Sequence, residues 1–176
     1  MATRQGRRRG STREVGPPQI ELRVAARRGA HAARVLREAV KEFVLPGEWV
    51  SISLVSDREI SRFHLDARGR GTPTDVMSWS PGEVMISLET ARRQAREGGW
   101  PLRVELRRLL AHAMCHNRGY EHDTPEKAGR MAAAERRMLG REGMVGESLS
   151  SRPAAGLPSP RARRAARRGR EKARRT

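Results

Sequence analysis

The stretch QIELRVAARRGAHAARVLREAVKEFVLPGEWVSISL, residues 19–54, decides the fold. Its opening residues, 19–24, alternate Ile20, Leu22 and Val24 against polar neighbours, the two-residue period of a strand with one buried face. From His31 to Val44 the apolar positions Val35, Leu36, Ala39, Val40 and Phe43 recur at helical spacing, and Pro46-Gly47 ends the run. Val50, Ile52 and Leu54 then alternate again. Strand, helix and strand in that order make one unit of a sheet with a helix packed on it.

Reading outward, Ser56-Asp57-Arg58-Glu59 has the reciprocal pattern of a capping box, and the helix it starts carries Ile60 and Phe63. Arg68 to Pro73 is glycine-rich and polar, a loop. Val76–Trp79 and Val84–Leu88 are short strand-like runs around Pro81-Gly82, and a hairpin joins them most simply. Glu89–Glu97 is a charged helical stretch stopped by Gly98-Gly99. A longer helix starts near Pro101, buries Leu102, Leu106, Leu109, Leu110, Ala113 and Met114, and ends at Gly119. Thr124 caps a last helix with Pro125 at its first position; Met131, Ala134 and Met138 are its apolar stripe and Gly140 its end. The pattern predicts a single α/β (α+β) domain with a small mixed sheet of about four strands packed against four or five helices.

The 176 residues suit one ordinary domain. Only 36% are apolar and the formal net charge is +17, most of it at the two ends. Residues 1–18 carry five arginines against Glu14, and residues 151–176 carry nine arginines and Lys172 against Glu171. We therefore divide the chain into a disordered basic arm at 1–18, a folded domain at 19–145 and a disordered Arg-rich tail at 146–176. Such arms attract phosphate polyanions by counterion release, though a merely solubilising tail has the same composition. No run of about 18 apolar residues exists to span a bilayer, nor is there the apolar core of a signal peptide, so the expected address is cytoplasmic and no membrane partner is expected. Cys115 is the single cysteine, which excludes an intrachain disulfide and suits a reducing compartment.

His112 and His116 lie four apart on the long helix, so both imidazoles share one face a turn apart and can chelate one ion. Gly119 lets the chain turn back and bring His122 to the same point. A histidine pair near a helix C-terminus can simply complement the helix dipole. The third histidine shifts the balance to a metal site at the end of a central helix. Three imidazoles with an open fourth position are the usual catalytic zinc arrangement, whereas structural zinc is closed by four ligands, mostly cysteine. One zinc per chain is the expected cofactor. Cys115 points about 100° away from His116 around the helix and reads as a small core residue. The spacing resembles H-E-x-x-H zinc peptidases, but Ala113 stands where their general-base glutamate would be, which argues against that class. Glu121 reads equally as a general base, as an outer partner of a ligand or as a surface acid.

The run His112-Ala-Met-Cys-His116-Asn-Arg-Gly119-Tyr120-Glu121-His122 resembles the H-G-x-x-H-x-x-G-Y-D-H signature of the YbeY family, bacterial endoribonucleases and rRNA maturation factors. Pro73-Thr74-Asp75-Val76-Met77-Ser78-Trp79 is similar to that family's P-T-D-V-L-S-F segment, and Val84–Ala91 to its G-D-I-V-I-S-L-x-T-A strand and helix start. The resemblance covers roughly residues 19–140. It implies that His112, His116 and His122 are the zinc ligands and that Arg68 matches the arginine of the family's Y-R-G-K-D loop, a catalytic position. A planar guanidinium suits that role because it can contact two phosphate oxygens as charge builds on a phosphodiester. His64 stands in place of the family's asparagine, Ala67 of an aromatic residue, Gly71 of an aspartate, Ala113 of a glycine and Glu121 of an aspartate. His64 is assigned no more than an outer role, because three ligands are already supplied.

The resemblance thus implies a single-strand-specific, zinc-dependent endoribonuclease acting in rRNA processing, at the 3′ end of 16S rRNA, and in ribosome biogenesis and quality control. Its partners would be single-stranded and ribosomal RNA and the small ribosomal subunit with its proteins. Two other readings stand beside it: a non-catalytic ribosome-assembly factor with a structural zinc, and a metallohydrolase acting on another substrate.

Overall fold

In the computed structural model, which describes residues 16–68, 74–79, 82–144, 146 and 148–151, the alternating runs are strands and the periodic ones helices. The strands are β1 (Gln19–Val24), β2 (Trp49–Val55), β3 (Val76–Trp79) and β4 (Glu83–Ser87). Among them run the helices α1 (Ala30–Phe43), α2 (Asp57–Arg68), α3 (Leu88–Gly98), α4 (Leu102–Asn117) and α5 (Pro125–Leu139). The sheet order is β1-β2-β4-β3. β2 pairs in parallel with β1 and β4, and β3 closes the sheet antiparallel to β4 as the hairpin reading requires. The result is the mixed four-stranded α+β sheet expected from the sequence.

Register explains the core. Leu22, Ile52 and Leu54 alternate onto one face with Val84 and Ile86, and Leu36, Ala39, Val40 and Phe43 of α1 and Leu106, Leu109 and Leu110 of α4 pack over them. Each fully buried leucine or phenylalanine contributes roughly 1.5–3 kcal/mol of transfer free energy. On the other face Val55, Met77 and Met85 meet Ile60 of α2. Phe63, expected on the same apolar stripe, is 49% exposed, because α2 buries a single turn against the sheet rather than its whole length. β1 is the sheet edge, and its Ile20 and Val24 are likewise more exposed than their alternation predicts.

The helix starts follow their caps. Ser56 and Glu59 bond reciprocally, Ser56 N–H to Glu59 Oε2 at 3.0 Å and Glu59 N–H to Ser56 Oγ at 3.3 Å, so the capping box forms. Leu88, read as the last strand residue, opens α3 instead, because the Ser87 hydroxyl accepts from the Thr90 amide and caps that helix. Thr124 caps α5 through the Lys127 amide as its sequence predicts.

Most of the arms expected at 1–18 and 146–176 lies outside the described residues, as do residues 69–73 of the Gly-rich loop and 80–81 of the hairpin turn. One part of the C-terminal arm differs from expectation: Leu149–Ser151 is a short 3-10 helix packed on α4 and α5, with Leu149 and Ser150 buried. A single apolar residue gives no periodicity, so its anchoring role is invisible in the sequence. No described helix is long and apolar enough to cross a membrane.

Candidate metal centre

Helix α4 is the central strut. Leu106, Leu109, Leu110, Ala111, Ala113, Met114 and Cys115 are all buried, and α1, α3, α5, β3 and β4 pack around it. Its last two turns have one side near the surface, and His112 and His116 lie on that partly open side, with side chains 12% and 22% exposed. Ala113 faces the core. Its methyl side chain offers no carboxylate, so the general base of the zinc peptidases is missing at this position.

The helix ends in a Schellman turn. Gly119 takes φ +79°, its N–H bonds the His116 carbonyl at 2.8 Å, and the Tyr120 N–H bonds the Cys115 carbonyl at 3.0 Å. Tyr120 packs beside Cys115, Met131 and Ala134, the apolar contact that accompanies such a turn. The reversal carries His122 back to the helix face. The imidazole centroids of His112, His116 and His122 are 4.7, 5.3 and 5.1 Å apart pairwise, and one ring nitrogen from each lies within 4.8 Å of the others. Among the described residues this is the one group of three or more histidine, cysteine or acidic side chains so gathered.

His112 Nδ1 lies 2.8 Å from Glu135 Oε1 on α5, and Glu135 is buried. The carboxylate accepts the Nδ1 proton, which fixes the tautomer and leaves Nε2 as a lone-pair donor, the usual support of a metal-binding histidine. The second oxygen, Oε2, accepts from the Ser148 hydroxyl. Burial pushes the Glu135 pKa up, but the hydrogen bonds from His112 and Ser148 outweigh it and the net shift is downward, so the group is an anion at neutral pH. Burial, then repulsion from His112, lowers the pKa of both His116 and His122, against the pull of Glu121. Neutral imidazoles are the form that binds metal. A tetrahedral ion bound at about 2.0–2.1 Å needs its ligands about 3.3 Å apart, so side-chain rotation closes this set, and three imidazole nitrogens, with the His112 ring held through Nδ1, are donors that fit such an ion.

Other candidates fall elsewhere. Cys115 is fully buried against α5, and burial pushes its thiol up to about 12, so it is a core residue as its angular position predicts. Glu121 is 60% exposed, with Oε2 3.7 Å from His116 Nδ1, too far for a direct hydrogen bond. His64 is buried on α2 and does not join the three-histidine group. Arg68 is the last residue of α2; its side chain lies outside the described residues. Arg118, the residue after α4, binds both oxygens of Glu48 at 2.9 Å and the Phe43 carbonyl, tying the turn before His122 to the end of α1.

Glu135 is the site residue that sequence reasoning missed. The signal was present: it sits four residues after Met131 and three before Met138, a carboxylate inside the apolar stripe of α5. A charge in that position requires a buried partner.

The family profile described as Endoribonuclease YbeY matches residues 19–143. An Endoribonuclease YbeY of Myxococcus xanthus is 39% identical over 147 residues, covering 74% of this chain and 50% of that protein. Another, of an Anaeromyxobacter species, is 38% identical over 136 residues, covering 69% of this chain and 71% of that protein. A solution structure of a Thermotoga maritima protein matches with a TM-score of 0.48 and 21% identity over 80% of this chain and 100% of its own. The chain thus spans half the length of the Myxococcus relative and about 70% of the Anaeromyxobacter one.

Proposed function

We propose, for a chain that belongs to the endoribonuclease YbeY family, a zinc-dependent endoribonuclease that cleaves single-stranded RNA in rRNA processing, at the 3′ end of 16S rRNA. Its setting is the cytoplasm, and its partners are ribosomal RNA and the small ribosomal subunit. The observation that carries the reading is the three-histidine cluster on α4 and its following turn, with His112 fixed by a buried carboxylate. His112, His116 and His122 hold one zinc per chain. Zinc in such a site supplies Lewis acidity, which polarises a phosphoryl oxygen or acidifies an attacking hydroxyl.

The protein's own residues then have separable roles. Glu135 keeps His112 in one tautomer and one orientation. The Gly119 turn presents His122 opposite the helix pair. Arg68 contacts the phosphate and offsets the charge that builds as the phosphodiester is cleaved. The arginines of the two ends add affinity through backbone phosphates, sequence-blind and steeply salt-dependent. Few aromatic side chains are available to stack on bases, so affinity rests on phosphate.

The test is metal content by elemental analysis together with cleavage of a single-stranded RNA by wild type, Arg68→Ala and His112→Ala. Stoichiometric zinc in the wild type, and cleavage lost in both variants, is the expected result. A wild type that binds zinc yet cleaves no RNA would refute the nuclease reading in favour of an assembly factor with a structural metal. Hydrolysis of a peptide or ester that excess RNA leaves untouched would favour a different metallohydrolase.

A further inference from the structure

Behind the histidine cluster lies a second layer that begins beyond the family match, which ends at residue 143. After α5 the chain folds back, and Leu149–Ser151 packs on α4 and α5. Leu149 anchors this segment in the main core, 7% exposed, and Ser150 is buried beside it. The anchoring holds Ser148 over Glu135, where its hydroxyl donates to Oε2. The Ser148 hydroxyl oxygen is in turn 2.8 Å from that of Ser150, whose single proton is shared between Ser148 Oγ and the Ala128 carbonyl 3.4 Å away. A chain of polar contacts therefore runs from the backbone of α5 through Ser150 and Ser148 to Glu135, and from Glu135 to His112 Nδ1.

The two oxygens of the Glu135 carboxylate are thus engaged separately, Oε1 by the histidine proton and Oε2 by the serine proton. A carboxylate held at one oxygen alone can rotate about its last torsion, since that torsion is soft. Held at both, it presents Oε1 in a single place. The hydroxyl is one of two contacts this segment makes to the buried anion, the Ser150 backbone N–H being the other, and a buried anion short of a partner is disfavoured.

We propose that Ser148 is a positioning residue of the metal centre: its hydroxyl fixes Glu135, and Glu135 fixes His112 for metal binding. The inference rests on the three-histidine metal reading above and adds to it a segment outside the family match. Because residues 152–176 follow directly, the Arg-rich tail is joined to the domain at the segment that supports the metal ligand.

The experiment measures affinity for Zn(II) by competition with a chromophoric chelator, and the visible absorption of the Co(II)-substituted protein, in full-length wild type, Ser148→Ala and Ser148→Thr. Loss of a direct outer partner weakens metal binding about 10–100-fold. One layer further out, Ser148→Ala is expected to weaken it about fivefold and to broaden or shift the Co(II) bands, and Ser148→Thr, which keeps the hydroxyl, is expected to restore both. Thermal melts of the metal-free proteins separate this from simple destabilisation. If Ser148→Ala lowers the metal-free melting temperature yet binds Zn(II) as wild type does, the role is structural and the proposal is overturned. Failure of threonine to restore affinity overturns it as well. A wild type that binds no Zn(II) would instead overturn the metal-centre reading itself, so the two failures are distinguishable.

Discussion

Replacing Glu135 tests the buried carboxylate that stands directly behind one candidate ligand, His112. The carboxylate is buried and is the hydrogen-bond partner of His112 Nδ1, 2.8 Å away. A hydrogen bond to a charged group contributes about 1.5–3 kcal/mol. At about 1.4 kcal/mol per decade that is roughly a 10–100-fold change in metal affinity, the range seen when outer partners of metal ligands are removed. The two substitutions divide it. Glu135→Gln keeps an acceptor for the Nδ1 proton and can still meet Ser148, but loses the charge, so about a 10-fold loss of Zn(II) affinity is expected. Glu135→Ala removes the acceptor, frees the ring to turn and leaves the Ser148 hydroxyl without its carboxylate, so the loss should approach about 100-fold. Chelator competition near neutral pH measures both. If both variants bind Zn(II) within a factor of about two of wild type, Glu135 does not orient a ligand and the reasoning fails.

Two further outcomes test the surroundings. Gly119→Ala meets open space around its new methyl group but must adopt φ +79°, so a loss of about 1–2 kcal/mol in stability, seen in thermal or urea unfolding, is expected from backbone strain alone; an unchanged unfolding midpoint would refute the left-handed turn that delivers His122. Asp57 links the starts of α2 and α3, accepting from Ser87 and Thr90 and pairing with Arg93. Burial pushes its pKa up, but those three contacts outweigh it and hold the carboxyl below the ordinary 3.8. Its contribution to stability is therefore present above that value and lost as pH falls through the lower folded one, because the unfolded chain takes up the proton first. Asp57→Asn should be less stable than wild type at neutral pH, with the gap closing below the ordinary 3.8; a gap constant across the acid range in urea titrations would contradict this.

How much of this was legible in the sequence depended on whether a residue acts through periodicity or through a partner far away in the chain. Val50, Ile52 and Leu54 announce a strand by alternation, and Val35, Leu36 and Phe43 a helix by spacing, because those signals are local. The histidines were legible for the same reason: a spacing of four on one helix, a glycine and a short return are all within one stretch of chain. Phe63, Ile20 and Val24 misled because alternation says which way a side chain points and not whether anything covers it. The polar core contacts were hidden for a different reason. Glu105 is buried with its Oε2 2.6 Å from Trp100 Nε1, and the Arg108 guanidinium stacks 4.6 Å over the same indole ring. In the sequence these look like charges on an ordinary solvated helix, since only tertiary packing tells a buried charge from an exposed one.

The same distinction runs through the metal centre. The three histidines can be read from eleven consecutive residues, 112–122. The groups that hold one of them in place come from residue 135 and residue 148, on two later elements. A motif therefore carries the ligands but not their orientation. Two chains with identical histidine spacing can differ in metal affinity wherever the residue corresponding to Glu135 loses its carboxylate, or the segment corresponding to 148–151 loses the apolar anchor that Leu149 supplies here. Since that segment lies past residue 143, where the family profile ends, a match to the profile reports the three candidate ligands and not the support of His112 from residue 148.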